Sequence, residues 1–205
     1  MTLQVNLLIL FTIATYSLLG QTYPMEVENR VKELQRNKVD TIVYYECCSR
    51  SDVFSSKPSF DPGCLVWLKS GKMFMQKFAT RRKDFKQLMS NSIQLESNQL
   101  KYLLQNKLET IIAETVYQRV VRFSNDTLEL YMPLSHPHDN IAFIMFFLNR
   151  DTYSKQLNLD DLYTEIYRDS MKNLNYKYNQ GLILKSLKEM LESQLSTNEN
   201  RFVMK

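Results

Sequence analysis

The chain has 205 residues, of which 44% are hydrophobic, 12% aromatic and 23% charged, a composition that supports a packed core and excludes global disorder. Its formal net charge of +4 is too mild for a nucleic-acid-binding surface. With four glycines in all, there is no dinucleotide fingerprint, no phosphate loop and no G-x-S-x-G elbow, which disfavours most nucleotide-dependent chemistry.

Residues 1–20 carry no charged side chain, and Leu7–Ala14 is a short apolar segment resembling the h-region of a secretory signal peptide. Small residues permit cleavage after Ser17 or Gly20. The competing reading is an uncleaved N-terminal anchor, although the run is shorter than a full membrane span. The expected organisation is a signal peptide over 1–20, one α+β domain over 21–195 and a flexible tail over 196–205. The mature chain is expected to be secreted, without stable membrane insertion.

Residues 25–37 have apolar positions at helical spacing, Val27, Val31 and Leu34, with favourable pairs Glu26–Arg30 and Glu28–Lys32. Thr41–Cys48 switches to strand character. Ser49–Gly63 reads as a long loop whose strongest turn signal is Asp61-Pro62-Gly63. Cys64–Leu68 and Met73–Phe78 form an expected hairpin around Ser70-Gly71. A basic turn at Arg81-Arg82-Lys83, with Lys77 and Lys86 nearby, leads into a helical segment near Lys83–Met89; such a run is ordinarily a solvated turn.

From Ser97 to Thr115 the apolar stripe Leu100, Leu103, Leu104, Leu108, Ile111 and Ile112 predicts one long helix. Val116–Phe123 and Leu128–Met132 predict a second hairpin. Ile141–Leu148 follows, eight consecutive apolar residues rich in β-branched and aromatic types. That run is too short to span a bilayer and too uniformly apolar for a half-exposed strand, so it reads as a central strand covered on both faces. Two closing helices are expected, from Asn158 to about Leu174 and from Gly181 to about Leu195. The second should bury Ile183, Leu187, Met190 and Leu191. Strands and helices come in runs. The expected class is therefore α+β, with a mixed or antiparallel sheet of about five to six strands, a long central helix and two C-terminal helices packed on it.

Few residues carry chemistry. In an exported chain Cys47, Cys48 and Cys64 are disulfide candidates: Cys47 or Cys48 bonded to Cys64 would close the intervening loop. The odd thiol then remains as a buried spare or a route to a disulfide-linked dimer. Asn125-Asp126-Thr127 is an N-glycosylation acceptor in an expected turn. His136, His138 and Asp139 lie close together in the approach to the apolar run, where His-x-His would point two imidazoles the same way. Read blandly, that segment is a polar connection. No cofactor is expected. The expected function is binding, with an unidentified protein partner, rather than catalysis. The alternative is a secreted hydrolase or metal-dependent enzyme using His136, His138 and Asp139.

Overall fold

The computed structural model describes residues 25–48, 60–81, 87–124, 129–133, 140–149, 151–167 and 171–197. In chain order the elements are α1 (Met25–Arg36), β1 (Thr41–Cys48), β2 (Phe60–Lys69), β3 (Lys72–Arg81), β4 (Gln87–Met89) and β5 (Ile93–Leu95). These are followed by α2 (Asn98–Asn106), α3 (Leu108–Ala113), β6 (Val120–Ser124), β7 (Glu129–Pro133), β8 (Ile141–Leu148) and β9 (Asp151–Asn158). The chain closes with α4 (Leu159–Tyr163), β10 (Ile166–Tyr167), β11 (Met171–Lys172), α5 (Tyr176–Gln180) and α6 (Ile183–Thr197). The class is α+β.

The apolar run forms β8, which lies between β1 and β9 in an antiparallel sheet ordered β4-β3-β2-β1-β8-β9; β5 also pairs with β3, giving seven strands. Alternation along each strand sends side chains to two faces, and both are covered. On one face Ile42, Leu65, Trp67, Phe78, Met145 and Phe147 meet Val27, Val31 and Leu34 of α1. The predicted amphipathic face of α1 is therefore its buried face. On the other face Val43, Tyr45, Val66, Met75, Ile144 and Phe146 lie beneath leucines of α2 and α6 and Ile111 of α3. Fully burying each such side chain contributes roughly 1.5–3 kcal/mol.

The β2–β3 hairpin turns at Ser70 and Gly71 as the sequence predicts, both with positive φ (51° and 73°), the pattern of a type I′ turn. Asp61-Pro62-Gly63 is strand rather than turn, pairing with Phe78, Ala79 and Thr80. Gly63 serves close packing here: a Cβ at that position would lie 2.3 Å from the Phe78 ring and 2.6 Å from the Tyr45 carbonyl oxygen.

The predicted long helix is broken into α2 and α3 at Lys107, whose φ and ψ are −125° and 5°. Asn106 sits at the break, and its side-chain amide donates to the Tyr102 carbonyl at 3.1 Å. Asparagine competes with the helical ladder in this way, which a stripe of leucines does not reveal.

Other expectations fail locally. Gln87–Met89 is strand β4, not helix. β9 was not foreseen; Asn149, at φ 53°, turns the chain back so that Asp151–Asn158 pairs along the whole of β8. The helix expected to reach Leu174 stops at Tyr163. Its last carbonyls are taken by side-chain amides: Asn179 donates to the Asp161 carbonyl at 2.9 Å, and Gln180 donates to that of Leu162. The final helix forms over Ile183–Thr197 and buries Leu187 and Leu191 as expected, together with Leu184, while Ile183 and Met190 are half-buried. Glu114 caps its start by accepting from the backbone N–H groups of Ile183 (3.0 Å) and Leu184 (2.6 Å).

Ile144 is fully buried in β8. Ile144→Asp should cost several kcal/mol, because it places a carboxylate without a partner in the core. Urea denaturation reads this directly, and near-native stability would contradict the buried placement.

Candidate functional site

The break between α2 and α3 has a consequence at the sheet end beneath it. Leu68, Thr41 and Leu148 stand side by side across β2, β1 and β8, forming the end row of the sheet on the face turned to α2, α3 and α6. Leu104, near the end of α2, and Leu108, at the start of α3, lie over this row. Between the two layers runs a groove of about 800 Å³. Leu104 is buried, while Leu68, Leu108 and Leu148 are half-buried, so water still reaches this aliphatic part of the lining; the other lining residues, Asp40, Thr41, Gln105, Asn106, Glu109, Thr110 and Asn149, are polar. Asp40 stands on its strand-end side and Glu109 on its helix side, both exposed.

Two further polar clusters are internal. Tyr45 donates to Glu192 at 2.7 Å, and Lys188, 3% exposed, donates to the other oxygen of Glu192 at 2.8 Å and to the Tyr163 hydroxyl at 3.1 Å. This arrangement lets a lysine and a tyrosine hydroxyl lie between α6 and the sheet with partners satisfied. Burial pushes the Tyr45 and Tyr163 hydroxyls far up, so both stay protonated donors.

On the opposite face Glu46 accepts from the Tyr44 hydroxyl at 2.5 Å and from Thr80 at 2.7 Å. Desolvation raises its carboxyl above the ordinary carboxylate range, with a smaller push from Asp61, and the two hydroxyl bonds oppose that rise.

The cysteines do not form the expected bridge: Cys47 and Cys64 are free thiols. The register explains this. Cys64 lies opposite Tyr45, two positions out of step with Cys47 and three with Cys48. Diagonal neighbours on adjacent strands are roughly 7–8 Å apart, beyond the usual reach of a disulfide. Burial raises the Cys64 thiol strongly. Cys47 is raised by desolvation and by the Glu192 carboxylate, with Tyr45 and Lys188 opposing, which disfavours the nucleophilic thiolate. The backbone of Cys48 is placed opposite Ile141.

Asn125, His136, His138 and Asp139 lie outside the described residues. Among the described residues no group of three or more His, Cys, Asp or Glu side chains is placed to hold a metal. The groove gathers none of the residues singled out from the sequence as site candidates. Its lining residues that the sequence brings forward, Leu104 and Leu108 in the helical stripe and Thr41, Leu68 and Leu148 at strand ends, are all assigned there to structure rather than to a site.

No protein-family model matches the chain, and no curated protein or solved structure matches it.

Glu46 supplies a pH test. Because its folded-state pKa is raised, its stabilising contribution is complete below the unfolded carboxylate value and is lost as pH rises through the folded value. Glu46→Gln should remove that dependence. In denaturant melts from about pH 4 to about pH 8, the wild type should lose stability relative to the variant as pH increases. A constant difference across that range would refute the assignment.

Proposed function

We propose that the chain is an exported protein that acts by binding, with the groove over the Leu68–Thr41–Leu148 row as its ligand site. The observation that carries this reading is the groove itself. Four leucines and seven polar residues, Asp40 and Glu109 among them, line an open volume of about 800 Å³, within the size range of small-molecule sites. A ligand with an apolar body would displace water from the leucines on entering, and that displacement drives association. The volume favours a small molecule over the protein partner anticipated from the sequence.

The apolar, uncharged Leu7–Ala14 segment supports export. Among the described residues no helix is long and apolar enough to cross a membrane.

Export and binding are tested separately. Intact-mass measurement of chain recovered from the medium of secreting cells should show loss of the first 17 or 20 residues; recovery of the full chain in a membrane fraction would overturn the export reading. Nile red, an uncharged apolar dye, should bind the purified protein with enhanced, blue-shifted fluorescence. Leu108→Trp fills the groove from the half-buried start of α3 and should weaken that binding by about tenfold, the equivalent of roughly 1.4 kcal/mol, with little change in Tm. Unchanged dye binding by a folded variant would place the apolar site elsewhere.

A further inference from the structure

The groove's charge is at odds with that of the chain. Lysine and arginine outnumber aspartate and glutamate by 26 to 22 over the whole sequence. Yet among the described residues lining the groove there are two carboxylates, Asp40 and Glu109, and no basic side chain. Of the three bases that adjoin a lining residue in sequence, Lys69 and Lys107 are absent from that lining, and Arg150 lies outside the described residues. Among the described residues neither Asp40 nor Glu109 has an ion-pair partner. Five other carboxylates are engaged, Glu28 with Lys32, Glu33 with Arg30, Asp161 with Arg119, Glu189 with Lys185 and Glu192 with Lys188. The exposed Glu26, Glu96, Asp151 and Glu165 resemble the groove pair in having no ion-pair partner among the described residues; what sets Asp40 and Glu109 apart is that they share one groove.

The two groove carboxylates also come from different layers. Asp40 immediately precedes β1, and Glu109 sits in the first turn of α3. A cation seated between the sheet end and the helix pair would meet negative charge from both sides, while its apolar portion covers Leu68, Leu104, Leu108 and Leu148. An anion of the same shape would meet repulsion from both.

We propose that the ligand class of this groove is a small amphipathic cation, an amine carrying an aliphatic or other apolar body. This inference rests on the reading of the groove as a ligand site and adds the sign of the ligand's charge. Recognition divides between two physical terms. Burial of the apolar body against the leucines supplies affinity that is insensitive to salt. The charge preference comes from exposed carboxylates and is screened as ionic strength rises.

The test uses three probes with the same eight-carbon chain and different heads: octylamine, octan-1-ol and octanoate. Each is titrated calorimetrically into the purified full chain at low ionic strength and near-neutral pH. Octylamine should bind about tenfold more tightly than octan-1-ol, and octanoate should bind more weakly than either. The double variant Asp40→Asn/Glu109→Gln should bring octylamine to the level of the alcohol without weakening the alcohol. Neither side chain has a described partner, so the variant should keep the wild-type Tm, measured alongside. Raising the salt to about 1 M, where the screening length falls to about 3 Å, should erase the preference in the wild type.

Equal binding of amine and alcohol would overturn the cation inference and leave the apolar groove standing. Failure of all three probes to bind, or binding unaffected by Leu108→Trp, would overturn the groove reading as well. An amine preference that survives the double variant would place its charge recognition on other residues, and the assignment to Asp40 and Glu109 would fall.

Discussion

The pairing of β1 with β8 is the constraint on which the rest of the architecture depends. Eight residues of each strand lie in register from Thr41–Leu148 to Cys48–Ile141, and both strands are apolar on their two faces. A strand of that kind cannot face water on either side. The chain must supply two layers of cover, and it does so from distant places: α1 precedes the first strand, while α2, α3 and α6 come from the middle and end. The closure joins segments far apart in sequence, a cost that grows only logarithmically with loop length. That cost is offset by core burial that neither segment achieves alone.

Within this double-sided core several described polar groups fall into satisfied sets, whereas the buried Oδ1 of Asn140 has no hydrogen-bond partner among the described residues. Glu46 is held by two hydroxyls, and Lys188 by Glu192 and Tyr163. Arg119 bonds the Asp161 carboxylate at 2.9 Å with both side chains buried, while Asn179 spans the neighbouring backbone. These groups have structural work: they allow charge and amides to lie inside the fold without leaving donors or acceptors unmet. Asp40 and Glu109 differ from them in being exposed, without described ion-pair partners, and beside a groove that four leucines line in part.

The groove also shows how a small local departure creates a surface feature. Continued as a single rod, α2 would carry its leucine stripe straight on beyond Asn106. The competing side-chain bond of Asn106 and the non-helical backbone of Lys107 interrupt it there. Leu104 and Leu108 consequently belong to two different helices as they meet the sheet end. Leu68 and Leu148 remain partly accessible, and the aliphatic surface at the end row is not sealed.

Much of the architecture was legible in the chain because it rests on local periodicity. The spacing of Val27, Val31 and Leu34 defined the buried face of α1, Ser70-Gly71 specified the β2–β3 turn, and the unbroken apolar run of Ile141–Leu148 required cover on two faces. These signals depend on backbone geometry and on which side chains avoid water, and both are written locally. Register, helix interruption and late pairing were decided only by tertiary contacts. Asp151–Asn158 has too weak an alternation to announce an edge strand and becomes one because β8 offers it a ladder. The α4 helix ends where Asn179 and Gln180, from a later segment, take its carbonyls. Cys64 misses Cys47 because the β1–β2 register sets it opposite Tyr45. The candidate site belongs to this second kind. Asp40, Leu68, Glu109 and Leu148 are far apart in sequence and individually unremarkable, and they become a site only when the sheet end and the broken helix are brought face to face.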